Sequence, residues 1–194
     1  MEKMEKMKFT EVENGILENT EFYNFFSNLS FNRGIIFKRL STNSPLEFAE
    51  IIKNVKSTKL EIGKFIFSFL KNRTIQTMNW RYNDDDFFAH IIDKYDSEKK
   101  FCEIYFEERN IDEMTHTLNN ITQRGSVYES YKISESKAKS LIFDFIEKLQ
   151  KTIDIKRIFY CYEPWNKTLS PSEFECFFII SNNEILIFNK DDYD

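Results

Sequence analysis

The sequence predicts an α+β protein: several amphipathic helices packed on a mainly antiparallel sheet that ends in a C-terminal three-stranded meander. Three observations carry that expectation. Apolar residues recur at helical spacing in several segments between Asn19 and Thr152. From Ile155 onward the chain reads instead as three apolar strands separated by turn residues. Only 4 Gly and 3 Pro occur in 194 residues, so regular structure joined by short turns dominates. Helices gather toward the front and strands toward the back, without the regular alternation of a parallel nucleotide-binding sheet.

Asn19 is placed to cap a helix that carries Phe22, Phe25, Phe26 and Leu29 on one face. Gly34 to Leu40 follows as a strand. Ser44-Pro45-Leu46-Glu47 has the pattern of a capping box with Pro at the first helical position, ahead of the stripe Phe48, Ile51, Ile52 and Val55. Thr58-Lys59-Leu60-Glu61 repeats the box before Ile62, Phe65, Ile66, Phe69 and Leu70. Phe67 departs from that stripe and leaves a strand reading open for the segment. Gln76 to Tyr82 predicts a strand, and Asp84 to Tyr95 a short helix with Phe87, Phe88, Ile91 and Ile92 inward.

Phe101 to Glu107 alternates as a strand, with Phe101, Glu103, Tyr105 and Glu107 on one face and Cys102, Ile104 and Phe106 on the other. Asn110 with Glu113 opens a helix carrying Met114, Leu118 and Ile121, and Ser126 to Ile133 predicts a more polar strand. The strongest helix is Glu135 to Thr152, with Ala138, Leu141, Ile142, Phe145, Ile146 and Leu149 facing one way. Strands at Ile155 to Tyr162, Glu173 to Ile180 and Glu184 to Phe188 complete the meander. The last two are joined at Asn182-Asn183, a pair that tolerates the positive φ of a tight hairpin turn.

In the middle strand Phe174, Cys176, Phe178 and Ile180 share one face, and Phe177 and Ile179 the other. Apolar residues on both faces predict a central strand, covered by the Glu135–Thr152 helix on one side and the front helices on the other. Asp191, Asp192 and Asp194 are expected to leave the sheet as a solvated end that deters edge pairing. A single domain over residues 1–194 is expected, with possible lobes at 1–96 (helix-rich) and 97–194 (α+β).

Composition narrows the function classes. Hydrophobic residues make up 41% and charged residues 30%, a globular balance. Aromatic residues reach 16%, including 21 Phe, which is the unusual feature. Cys102, Cys161 and Cys176 form no CxxC pair and sit in apolar runs, where free cysteines behave as small hydrophobes of a reducing compartment. No apolar stretch approaches the ~20 residues of a membrane span. The start, MEKMEKMKF, lacks the apolar core of a signal peptide, so a cytoplasmic location is expected. The net charge of −5 disfavours direct nucleic-acid binding and suits a basic protein partner.

Chemistry-bearing residues are sparse. The stretch Trp80 to His90 holds Asp84, Asp85 and Asp86 near His90, which admits a metal reading. Acids also favour the first turn of a helix, which accounts for them without a metal. His116 is the only other histidine and lies on the polar side of its presumed helix, with no Cys beside it. No GxSxG, HExxH or phosphate-loop pattern occurs. Glu103, Glu107, Glu108 and Glu163 are candidates for a paired acid–base role of the glycosidase type, which geometry must decide. Asn79 to Asn83 (NWRYN) could stack a base, among acids that oppose phosphate.

The loop Glu163-Pro164-Trp165-Asn166-Lys167 offers an exposed aromatic anchor. Partner-binding candidates are therefore Glu163, Trp165, Asp84, Asp85, Asp86, Asp191 and Asp192. No catalytic activity, metal or cofactor is expected.

The segments FYCYEPW and FECFFIISNNEILIF, followed by the acidic NKDDYD, sit in a chain without a catalytic motif. In this they resemble the small, acidic, cytoplasmic immunity proteins that neutralise bacterial toxins. The resemblance implies a one-to-one inhibitor that covers a toxin's active site, often that of a basic nuclease. Carboxylates would meet basic residues around desolvated aromatic anchors. Two rival expectations stand beside it. One is a phage-encoded inhibitor of a host defence system, including the anti-CRISPR type; the other is a metal-dependent enzyme built on Asp84 to His90.

Overall fold

The computed structural model describes residues 3–29, 34–71, 98–125, 131–163 and 172–193. Its strands are β1 (Phe9–Val12), β2 (Gly34–Thr42), β3 (Tyr105–Arg109), β4 (Arg157–Glu163), β5 (Ser172–Ile180) and β6 (Glu184–Tyr193). They form one sheet in the order β1-β2-β6-β5-β4-β3, with every neighbouring pair antiparallel. The helices are α1 (Glu21–Leu29), α2 (Pro45–Asn54), α3 (Lys59–Leu70), the single turn α4 (Glu98–Phe101), α5 (Ile111–Arg124) and α6 (Glu135–Thr152). The α+β class and the C-terminal meander β4-β5-β6 are as the sequence predicts.

The sheet is sandwiched between two helical layers. On one face, Phe48 and Ile52 of α2 and Phe65, Ile66 and Phe69 of α3 pack on Phe159, Phe178, Ile185 and Ile187. On the other, Phe22 and Phe26 of α1, Leu118 of α5 and Phe145 of α6 pack on Ile158, Phe177, Leu186 and Phe188. The aromatic excess fills these layers. Phe22 stacks on Phe145 at 4.3 Å, and Phe69 meets Phe178 edge to face at 5.8 Å. Strands from residues 1–96 and 97–194 join in the same sheet, β2 pairing directly with β6, and both layers contain residues of each. The expected division of faces along β5 holds, but α1 lies on the same side as α6 rather than with α2 and α3.

Several local expectations change. Thr20, not Asn19, caps α1: its Oγ1 accepts the Tyr23 N–H at 3.1 Å. Asn19 is already the last residue of a short 3₁₀ helix. Ser44 makes no side-chain capping bond, because its hydroxyl pairs instead with Asn43. Thr58 does cap α3, accepting the Glu61 N–H at 3.3 Å. Among the described residues the reciprocal box forms fully only at α5, where Asn110 Oδ1 accepts the Glu113 N–H at 2.9 Å and Glu113 Oε2 accepts the Asn110 N–H at 2.8 Å. Phe67, off the predicted stripe, is buried against Phe101 at a ring separation of 5.2 Å, so α3 is covered beyond one stripe.

Phe101 closes the helical turn α4, so β3 begins only at Tyr105. Tyr131 to Ile133 form no strand, the remainder of that predicted element lying outside the described residues, as do Gln76–Tyr82 and Asp84–Tyr95. At the β5–β6 hairpin neither Asn182 nor Asn183 has positive φ. The turn is built by Ser181, whose Oγ accepts the N–H groups of Asn183 and Glu184 at 3.2 and 3.0 Å.

The acidic end does not leave the sheet at Phe188. β6 continues to Tyr193, with Asp191 held between Gly34 of β2 and Phe174 of β5. Backbone partners on both sides keep the segment in strand as far as Asp191, β5 alone pairs Asp192 and Tyr193, and β6 is an interior strand rather than an exposed edge.

Gly63 marks a close approach of α3 to β3 and the turn before it that the sequence alone does not announce. A Cβ there would stand 2.9 Å from Cys102 Sγ and 3.2 Å from the Phe106 ring. Gly63→Ala is therefore expected to destabilise by about 1–3 kcal/mol despite the higher helix propensity of Ala. A urea unfolding midpoint equal to or above that of the wild type would contradict the close approach.

Candidate functional site

Register gathers three of the predicted partner-binding positions at one end of the sheet. Glu163 ends β4 opposite Phe174 of β5, and Asp191 and Asp192 of β6 stand opposite Phe174 and Glu173. Trp165, Asp84, Asp85 and Asp86 lie outside the described residues. Tyr105, at the start of β3, joins the same end: it pairs with Tyr162, next to Glu163, and is 41% exposed. This exposed aromatic was not among the predicted residues. Its signal was the period-2 pattern of β3, which places a large ring on the strand face opposite the buried Phe106.

Just inside this end lies a buried ion network on the face covered by α5. Glu175 of β5 and Lys190 of β6 are 5% and 1% exposed, and their side chains approach to 4.0 Å. Arg124, at the end of α5, reaches the same carboxylate at 2.5 Å, and the Tyr160 hydroxyl donates to it at 3.1 Å. Burial above all, then the neighbouring Glu175 charge, pushes the Tyr160 hydroxyl far above the ordinary tyrosine range, so it stays a proton donor. Arg109 lies over the Tyr160 ring at 5.3 Å and pairs with Glu107. Sequence reading missed Glu175 and Lys190. Their signal was a charge in or just after a strongly apolar strand, where ionic side chains are rarely buried unpaired.

At the opposite end, a cleft of about 750 Å³ opens between the start of α5, the end of α6 and the tops of β3 and β4. Its floor is Ile153 and Ile158, with Arg109, Lys156, Arg157 and Glu108 around it. Arg157 forks onto Glu108 at 2.7 and 2.8 Å and donates to the carbonyls of Ile52 and Val55 at 2.6 and 2.5 Å. It thus ties the α2–α3 connection to β4.

The Arg157 hydrogen bonds, helped by one from Ser57, hold the Glu108 carboxyl below its usual range against the opposing effect of burial. A depressed folded pKa means that this stabilisation is complete above the unfolded pKa and is lost as pH falls through the folded one. Below about pH 4.3 the wild type should therefore lose stability more steeply than Glu108→Gln. Parallel acid limbs in urea midpoints against pH would refute this coupling.

Glu107 and Glu108 lie on opposite faces of β3, facing Tyr160 and Phe159, and each is committed to an arginine. They cannot converge on one substrate as an acid–base pair. Glu103 is exposed in the turn before β3, and His116 is exposed on α5 with Asn120 at 3.3 Å. Among the described residues no three His, Cys, Asp or Glu side chains gather as metal ligands. No helix among them is long and apolar enough to cross a membrane.

Fold and site together define an α+β sandwich with a wholly antiparallel central sheet and an acidic, tyrosine-bearing sheet end. No family model, no curated protein and no solved structure matches the chain.

Proposed function

We propose that the chain is a small acidic inhibitor that binds and neutralises a protein partner with a basic surface, as an immunity protein does a bacterial toxin. The observation that carries the reading is the convergence of Tyr105, Glu163, Asp191 and Asp192 at one end of the sheet. An exposed aromatic beside carboxylate-bearing positions is the composition of a binding centre that recognises cations. The net charge of −5 supports the same reading, because it accelerates capture of a basic partner. The buried Arg124–Glu175–Lys190 network would hold the ends of β5 and β6 rigid beneath that surface, limiting what binding must order.

Affinity capture from the native host, followed by light scattering of the purified complex, tests the proposal. A one-to-one complex with a basic protein is expected, its association slowing as salt is added. Asp191→Asn with Asp192→Asn should lower the association rate by about tenfold at low salt, and Tyr105→Ala should speed dissociation. Self-association without a heterologous partner would overturn the reading. The captured protein also separates the roles, since a toxin marks immunity and a defence effector marks a phage-type inhibitor.

A further inference from the structure

The cleft at the end of the sheet away from the acidic positions holds polar groups that the protein's own contacts leave in part unused. Ile153 and Ile158 are buried in its floor, and the half-buried Ile111 and Ile155 line it beside them. Arg109 stands opposite Ile158 across β3 and β4. Lys156 lies two residues before Ile158, with its backbone N–H bonded to the Ile180 carbonyl at 2.8 Å. Diagonal neighbours in a sheet stand about 7–8 Å apart, so two long cationic side chains placed this way can reach one anion.

Both cations have binding capacity to spare. Glu107 takes Nη2 of Arg109, the Tyr160 ring lies against the guanidinium, and Nε has no hydrogen-bond acceptor. Lys156 meets Asp154 at 2.7 Å, but both side chains are exposed, and such surface pairs contribute little. Arg157 and Glu108, in contrast, are spent on each other. The start of α5 adds no donor, because the Asn110–Glu113 box already occupies it. The lining carries Arg109, Lys156 and Arg157 against Glu108 and Asp154, a local cationic surplus in a chain of net charge −5.

We propose that this cleft binds a small aliphatic carboxylate, its oxygens between Arg109 and Lys156 and its hydrocarbon on the isoleucines. A cleft of about 750 Å³ with an apolar floor and a few convergent polar groups has the make-up of a small-molecule site. The planar guanidinium matches the two oxygens of a carboxylate, and the ammonium adds a point charge. Inorganic phosphate would gain nothing from an isoleucine floor, and a neutral hydrocarbon nothing from the cations. The site is independent of the acidic sheet end, so it stands or falls apart from the partner proposed there.

Titration calorimetry of the full chain with octanoate should show one-to-one binding. Octanol, with the same body and no charge, should bind at least about tenfold more weakly, the loss expected for hydrogen bonds to a charged group. Acetate, with the charge and no body, should bind more weakly than octanoate as well. Arg109→Lys should weaken octanoate by about tenfold through loss of the planar fork. Lys156→Met should weaken it by about fivefold; being at an exposed position, it carries the test if Arg109→Lys unfolds. Methyl NMR should show octanoate shifting the signals of Ile111, Ile153, Ile155 and Ile158 first. Absence of octanoate binding, octanol binding as tightly, unaltered affinity in Lys156→Met, or shifts centred elsewhere would overturn the assignment.

Discussion

Glu175→Ala should lower the unfolding free energy by about 3–5 kcal/mol, the range for deleting one partner of a buried ion pair. The carboxylate stands against Lys190, which is 1% exposed, and also serves Arg124 at 2.5 Å and the Tyr160 hydroxyl at 3.1 Å. Without it a buried ammonium loses its facing charge and a buried hydroxyl its acceptor. Arg124 suffers less, because about a third of its side chain already meets solvent. The decisive comparison is Glu175→Leu combined with Lys190→Met, which replaces the facing charges by apolar side chains. That double variant should recover most of the loss, since well-packed apolar substitutes for buried pairs are often neutral or stabilising. Urea unfolding of the three proteins checks both parts. A loss below about 1 kcal/mol for Glu175→Ala would mean that water reaches the network.

Arg157→Ala should cost about 3 kcal/mol, from a charge-assisted fork and two carbonyl bonds lost at once. The guanidinium joins Glu108 of β3, the carbonyls of Ile52 in α2 and Val55 just after it, and the Phe159 ring at 4.7 Å. Arg157→Lys should recover less than half, because an ammonium cannot reproduce a planar fork. If lysine restored wild-type stability, charge alone rather than geometry would hold this junction. Hydrogen exchange offers a second readout. In Arg157→Ala the amides of α3 should lose protection ahead of those of α6, which packs on the other face of the sheet.

Much of this architecture is legible in single segments. Period 3.6 identified α2, α3, α5 and α6, and the apolar run of β5 with residues facing both ways identified a central strand. Asn110 and Glu113 formed the reciprocal cap their spacing predicts. The failures fall where a local pattern has a competitor. Ser44 found Asn43 instead of its helix, and the alternation from Phe101 was overridden by a helical turn that buries Phe101 against Phe67 and Phe106.

The candidate site was legible in part, as residue types without a place. Glu163 is legible as part of an aromatic loop and Asp191 and Asp192 as an acidic run, while Tyr105, Glu175 and Lys190 gain meaning only when neighbouring strands meet. Asp191 illustrates the difference. In isolation a polar acidic run favours solvent, yet Gly34 and Phe174 flank it with backbone partners on both sides and keep it in strand.

The longer helices, the three C-terminal strands and their buried faces follow from the sequence, because side-chain periodicity within one segment decides them. The tertiary structure alone decided that β2 lies between β1 and β6, that α1 shares a face with α6, and that Glu175 meets Lys190 and Arg124. Those outcomes depend on pairings between residues far apart in the chain, whose hydrogen bonds and buried charges exist only once the strands are side by side.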